Sequence, residues 1–196
     1  MIRLAAGCAF LLLVSESAAA HSPLPGVGAF YSAMLHPVVV PAHALLLFAV
    51  GLVCGQHAPR TSRLALPAFA LLLAAGLAMP PFAAAADTAA LLLALAALAG
   101  LAVAIRLPQR PLLGLLCALA GLAIGLDSRA DAPGLPPGEG AGVWLGAVIA
   151  VTLVGGLTVP LTRTWQMIAV RALGSWITAA AVIVLTLSLA SGNRAG

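Results

Sequence analysis

The amino-acid sequence predicts an all-α, polytopic membrane protein: a bundle of six transmembrane helices that follows a signal peptide. Of its 196 residues, 63% are hydrophobic and 7% are charged, whereas a soluble domain of this size needs a far more charged surface. Long apolar stretches alternate with short loops that contain proline, glycine and arginine. This alternation is typical of a chain that crosses a bilayer several times.

The amino-terminal segment, 1–20, has the pattern of a secretory signal peptide. Arg3 precedes an apolar run, and three consecutive alanines at 18–20 form a small-residue cleavage site. Cleavage there makes His21 the amino terminus of the mature chain, and residues 21–196 then form one transmembrane domain. The alternative is an uncleaved first helix, although the apolar run is short for a full span.

The predicted transmembrane domain contains six apolar segments, each of about the 17–25 residues that a spanning helix requires. Proline lies in or beside several of the turns between them, where a missing backbone donor is least costly. The predicted spans are 33–55, 64–80, 88–105, 111–127, 142–161 and 172–190. Three Gly-x-x-x-Gly patterns, which begin at Gly51, Gly121 and Gly142, favour close packing of these helices.

The arginines predict how the bundle is oriented. The chain has no lysine, and its nine arginines are scattered, which argues against a nucleic-acid-binding surface. Alternate loops carry pairs of them, at Arg60 and Arg63, Arg106 and Arg110, and Arg163 and Arg171. The opposite side keeps Arg129 and Arg194 together with the acidic residues Asp87, Asp127, Asp131 and Glu139. Because arginine-rich loops stay in the cytoplasm, we expect a multi-pass protein of the bacterial inner (cytoplasmic) membrane with its mature amino terminus outside.

Two histidines in the first predicted span are the strongest candidates for chemistry. His36 and His43 are seven residues apart, so one continuous helix would project both from one face. Asp127 ends the fourth predicted span on the same, outer side, and a free amino-terminal His21 would add an amine and a ring nitrogen. Imidazole and carboxylate together suit a borderline divalent metal such as nickel, zinc, cobalt or copper. The predicted metal ligands are therefore His36, His43, Asp127 and His21.

A purely structural role accounts for the same residues. His36 precedes Pro37, and proline is favoured at the first helical position, so His36 is also a candidate helix start. Asp127 and Ser128 fit an ordinary helix end followed by a turn. Two cysteines, Cys54 and Cys117, fall toward the inner ends of their predicted helices, either as small buried hydrophobes or as a soft exit site.

The first span resembles the HupE/UreJ proteins, which are bacterial membrane proteins linked to hydrogenase and urease loci. Their motif is His-Pro, a short spacer, Asp-His and a leucine-rich run that ends in glycine. Apart from the aspartate, this chain matches it from His36-Pro37 to His43, with Gly51 following. Two positions depart from the family: Ala42 stands where the family has aspartate, and 125–128 replaces a His-Gly-His cluster. The resemblance implies a cleavable leader, about six helices and a nickel permease.

These observations lead to a functional hypothesis with two alternatives. We expect a permease for a divalent, nickel-type metal and not an enzyme, with no cofactor other than the transported ion and no nucleic-acid partner. The expected partners are the lipid bilayer, the metal ion, and either further copies of the chain or a hydrogenase or urease maturation system. The alternatives are an intramembrane metal-dependent hydrolase, with Ser128 beside the metal, and a non-transporting accessory or assembly subunit.

Overall fold

The structure is a computed structural model that describes residues 28–57, 62–80 and 88–192. These residues form seven α-helices and no strand, which confirms the predicted all-α class. The helices are α1 (Ala29–Val39), α2 (Pro41–Gln56), α3 (Ser62–Ala78), α4 (Thr88–Ile105), α5 (Arg110–Asp131), α6 (Pro137–Thr158) and α7 (Thr164–Gly192). The predicted signal peptide and His21 lie outside the described residues.

The first predicted span, 33–55, is broken, and the prediction of one continuous helix there was wrong. Helix α1 ends at Val39 and α2 begins at Pro41, with a bend of 73° between them. Val40 has extended backbone angles, φ −73° and ψ 117°, because the ring of a following proline disfavours the helical conformation in the residue before it. Pro41 then occupies the first position of α2, where its missing N–H is not needed.

The number of full-length spans also differs from the prediction. Four helices, α4 to α7, are long and apolar enough to cross a membrane, and the broken α1–α2 pair makes five if it crosses once. Helix α3 is apolar but shorter, with 17 residues. The described residues therefore hold four or five long apolar candidate spans and one shorter apolar helix, and six spans are not confirmed.

Helix α2 lies at the centre of the bundle, in contact with all six of the other helices. Ten of its 16 residues are buried, and Leu46, Val50 and Val53 are completely inaccessible. Its sequence is apolar on all sides, which is the pattern of a helix enclosed by others. A polar residue on α2 is therefore enclosed by protein as well.

The three predicted Gly-x-x-x-Gly contacts are confirmed. Gly51 and the glycine one turn later pack against α6, the pattern at Gly121 packs against α3, and the pattern at Gly142 packs against α1. A β-carbon at Gly142 would lie 2.6 Å from the carbonyl oxygen of Phe30, closer than real side chains approach. The absence of side chains thus lets these backbones touch.

The helices place opposite charges at opposite ends of the bundle. α2 and α6 run parallel, since Gly51 contacts Val154, and Gly55, one turn later, contacts Thr158. α4 and α7 run antiparallel, since Gly100 contacts Thr178 whereas the later Val103 contacts the earlier Gly174. We call the two ends the histidine end and the arginine end. The histidine end contains Asp127, Asp131, Glu139 and Arg129, and the arginine end contains Arg63, Arg106, Arg110, Arg163 and Arg171.

Candidate metal-binding site

A buried hydrogen bond between a histidine and an aspartate joins α2 to α5 near the histidine end. His43 is the third residue of α2 and is completely inaccessible, and its Nε2 lies 2.8 Å from Oδ2 of Asp127. Asp127 is itself buried, with 7% of its surface exposed. A carboxylate is costly in such surroundings unless it is paired, so the imidazole explains how this acid is accommodated.

The second ring nitrogen of His43 has no hydrogen-bond partner among the residues that the structure describes. An ionised carboxylate only accepts hydrogen bonds, so Nε2 carries a hydrogen and donates it to Asp127. In the neutral form of the ring, Nδ1 then carries the lone pair. Nδ1 is buried and unsatisfied. A buried polar atom in this state costs about 1–3 kcal/mol, and an imidazole lone pair is the form of histidine that binds a metal.

His36 reaches His43 across the break between α1 and α2. The two ring centroids are 5.6 Å apart with an interplanar angle of 74°. The prediction that both rings project from one face of one helix was wrong, because they project from two helices. The bend at Val40 is what brings the rings edge to face.

A second, looser His–Asp pair lies beside the first. His36 Nε2 is 4.0 Å from Oδ2 of Asp131, whose side chain is 45% exposed. Asp131 follows Asp127 by four residues, one turn of α5, so α5 presents one carboxylate to each histidine. Asp131 was predicted on this side of the membrane but not as a ligand. Its spacing of four residues from Asp127 was the feature of the sequence that could have identified it as a second acid of the site.

A cavity of about 480 Å³ opens beside the looser pair. The start of α1, the end of α5 and the start of α6 line it, with His36, Asp131 and Glu139 among the lining residues. His43 and Asp127 are not in the lining. The looser pair therefore lies between the cavity and the buried pair.

The remaining candidates take less part in the cluster. Ser128 lines the cavity, but its hydroxyl donates to the carbonyl oxygen of Ile124, 2.8 Å away on its own helix. Across residues 28–57, 62–80 and 88–192, no three His, Cys, Asp or Glu side chains form a group that could hold one metal ion. His21 is not among the described residues. The cluster is thus two His–Asp pairs and not a closed coordination shell.

The fold and the cluster define a multi-pass helical membrane protein with paired histidines and acids at one end of its bundle. The chain belongs to the HupE/UreJ family: the family model described as HupE / UreJ protein matches residues 9–184. This confirms the resemblance seen in the histidine motif, and it makes the chain an accessory membrane protein of the nickel or cobalt transporter type. No curated protein and no solved structure matches the chain significantly.

Proposed function

We propose that this protein is a permease that carries a divalent, nickel-type cation across the bacterial inner membrane. The observation that carries the proposal is the buried His43–Asp127 pair with its unsatisfied Nδ1. An ionisable pair at this depth is costly, and in membrane proteins such groups commonly mark an ion pathway. The arginines at the opposite end favour an orientation with the histidine end outside, so import is the proposed direction if the ion enters at that end.

The cavity at the histidine end is where the cation would first be captured. Asp131 and Glu139 line it, and their negative charge raises the local concentration of cations. His36 is the imidazole in the lining, and its ring is next to that of His43. The ion would therefore pass from carboxylates that are open to water to His36 in the cavity wall, and from there to the fully buried His43.

Asp127 has two roles in this proposal. By accepting the hydrogen bond from Nε2 it fixes the tautomer of His43 and leaves Nδ1 as the ligand atom. It also supplies the negative charge that the family's aspartate at position 42 would have supplied, since Ala42 cannot. A carboxylate on α5 thus replaces a carboxylate on α2.

The lack of a closed shell agrees with a transient site. An ion that is conducted must bind well enough to enter and weakly enough to leave. Two imidazoles and two carboxylates arranged as separate pairs favour brief, stepwise binding over permanent retention. The proposed cargo is consequently a borderline cation that accepts nitrogen and oxygen ligands.

Nickel accumulation in cells tests the proposal, with His43→Ala as the variant and His57→Ala as its matched control. His57 follows the last residue of α2, at the arginine end, and its Nδ1 donates to the carbonyl oxygen of Val53, 3.1 Å away on its own helix. We expect His43→Ala to abolish accumulation at an unchanged amount of protein in the membrane, and His57→Ala to retain it. Normal accumulation by His43→Ala would contradict the assignment.

A further inference from the structure

Two cysteines that the proposed site does not use lie side by side in the bundle. Cys54 on α2 and Cys117 on α5 have their Sγ atoms 4.0 Å apart, and both are free thiols. Each is buried, with 2% and 0% of its surface exposed. They are 63 residues apart in sequence, so the fold alone brings them together.

The thiol pair bridges the same two helices as the His43–Asp127 pair. Cys54 follows His43 by 11 residues, which is about 16 Å along α2 and within about 20° of the same helix face. Cys117 precedes Asp127 by ten residues, about 15 Å along α5. The α2–α5 interface therefore holds two polar stations, one toward each end.

Beyond the thiols the bundle opens again. A cavity of about 430 Å³ at the arginine end is lined by Gly55 and Gln56, which directly follow Cys54. The side-chain oxygen of Gln56 is buried and has no hydrogen-bond partner. The thiol pair thus lies between the buried His–Asp pair and the second cavity.

Coordination chemistry decides which ion two such sulfurs would take. Thiolates select soft cations, and an ion held in line by two bonds of about 2.3 Å needs sulfurs about 4.6 Å apart, roughly 0.6 Å more than the 4.0 Å between these two. Among the described residues no third His, Cys, Asp or Glu completes the group, so the ion must accept two ligands. Copper(I) and silver(I) do so.

A monovalent cation can replace one thiol proton without leaving a net charge in the apolar surroundings. A monovalent cation that binds the pair displaces one thiol proton to solvent, leaving one thiolate, one thiol and no net charge. The buried residues around the pair are apolar, and an uncompensated charge there would be costly. The neutral complex avoids that penalty.

We propose that Cys54 and Cys117 form a two-coordinate site for one soft monovalent cation such as copper(I). The site does not rest on the proposed function, because a soft monovalent cation is not the divalent cargo proposed above. The competing explanation is a weak S–H···S hydrogen bond that only packs α2 against α5.

Silver binding to the purified full-length protein tests the site. Ag⁺ is the probe because it shares the coordination of copper(I) without its redox chemistry, and Cys8→Ala serves as the background because Cys8 is the remaining cysteine. Bound silver per chain is measured by mass spectrometry after gel filtration, together with the ultraviolet absorption of silver–thiolate bonds. We expect one silver ion per chain, and binding weaker by roughly tenfold or more in Cys54→Ala and in Cys117→Ala.

His43→Ala is the matched control, since it removes the buried imidazole but leaves both thiols. It should bind silver as the background protein does while it loses nickel accumulation, so the two proposals fail separately. Unchanged silver binding in both cysteine variants, or no binding by the background protein, would overturn the thiol site. Gel-filtration elution at the volume of the background protein establishes that each variant is folded.

Discussion

At the scale of single residues, the pairing of one buried acid with one buried base dominates the histidine end. Asp127 and His43 are 2.8 Å apart and both buried, whereas Asp131 and His36 are 4.0 Å apart with Asp131 nearly half exposed. Hydrogen bonds inside membrane proteins contribute about 0.6 kcal/mol on average, but a buried group left without its partner costs about 1–3 kcal/mol. The two pairs should therefore respond differently to the loss of the acid.

Asp127→Ala is expected to lower the free energy of unfolding by roughly 1–3 kcal/mol, because it leaves both nitrogens of His43 unsatisfied. Asp131→Ala, the matched control one turn away, should change it by less than about 0.5 kcal/mol, since that pair is open to water. Thermal unfolding in detergent measures both. Equal destabilisation by the two variants would show that burial does not distinguish the pairs.

At the scale of helices, packing depends on positions where a side chain would not fit. Gly121 on α5 faces the backbone of Phe69 on α3, and a β-carbon there would overlap its carbonyl oxygen. Gly114, on the same helix, has no heavy atom within 4 Å of the corresponding position. The two glycines thus differ only in what faces them.

Gly121→Ala should destabilise the protein by about 1–3 kcal/mol through overpacking. Gly114→Ala should be neutral or stabilising by up to about 1 kcal/mol, because alanine favours the helix more than glycine does. Thermal unfolding of the two purified variants is the measurement. A stable Gly121→Ala protein would mean that α3 and α5 are not in backbone contact.

The break at Val40 can be tested at the same scale. Pro41→Ala removes the ring that keeps Val40 out of the helical conformation, so α1 and α2 should straighten into one helix. Spin labels at Tyr31 and Phe48, both exposed, would then move apart by about 5 Å, given a rise of ~1.5 Å per residue and the loss of the 73° bend. Nickel accumulation should fall, because the two imidazoles separate. An unchanged label distance would show that the proline does not maintain the break.

At the scale of the whole molecule, the charges at the two ends of the bundle predict its orientation in the membrane. Cysteines introduced at Gly134, between α5 and α6, and at Gln109, between α4 and α5, are exposed at opposite ends. A membrane-impermeant maleimide should label position 134 in intact cells and position 109 only after lysis. The reverse pattern would invert the proposed direction of transport.

The sequence predicted the class of fold and several residues of the His–Asp cluster better than it predicted how those residues are arranged. Composition was sufficient for a helical membrane protein, and the spacing of glycines predicted which faces touch. The break at Val40 was missed because the apolar pattern continues through it, although Pro41 was the local signal. The sequence could place His43 and Asp127 only on the same side of the membrane. It could not predict that they are hydrogen-bonded, because residues 84 apart in sequence meet through tertiary packing.

Uptake of nickel into sealed lipid vesicles that contain only this protein tests the central claim most directly. The account predicts that Ni²⁺ enters these vesicles faster than protein-free vesicles, and that His43→Ala abolishes the difference while His57→Ala preserves it. Equal nickel entry with and without correctly inserted protein would contradict the permease and favour a non-transporting accessory subunit of the HupE/UreJ family.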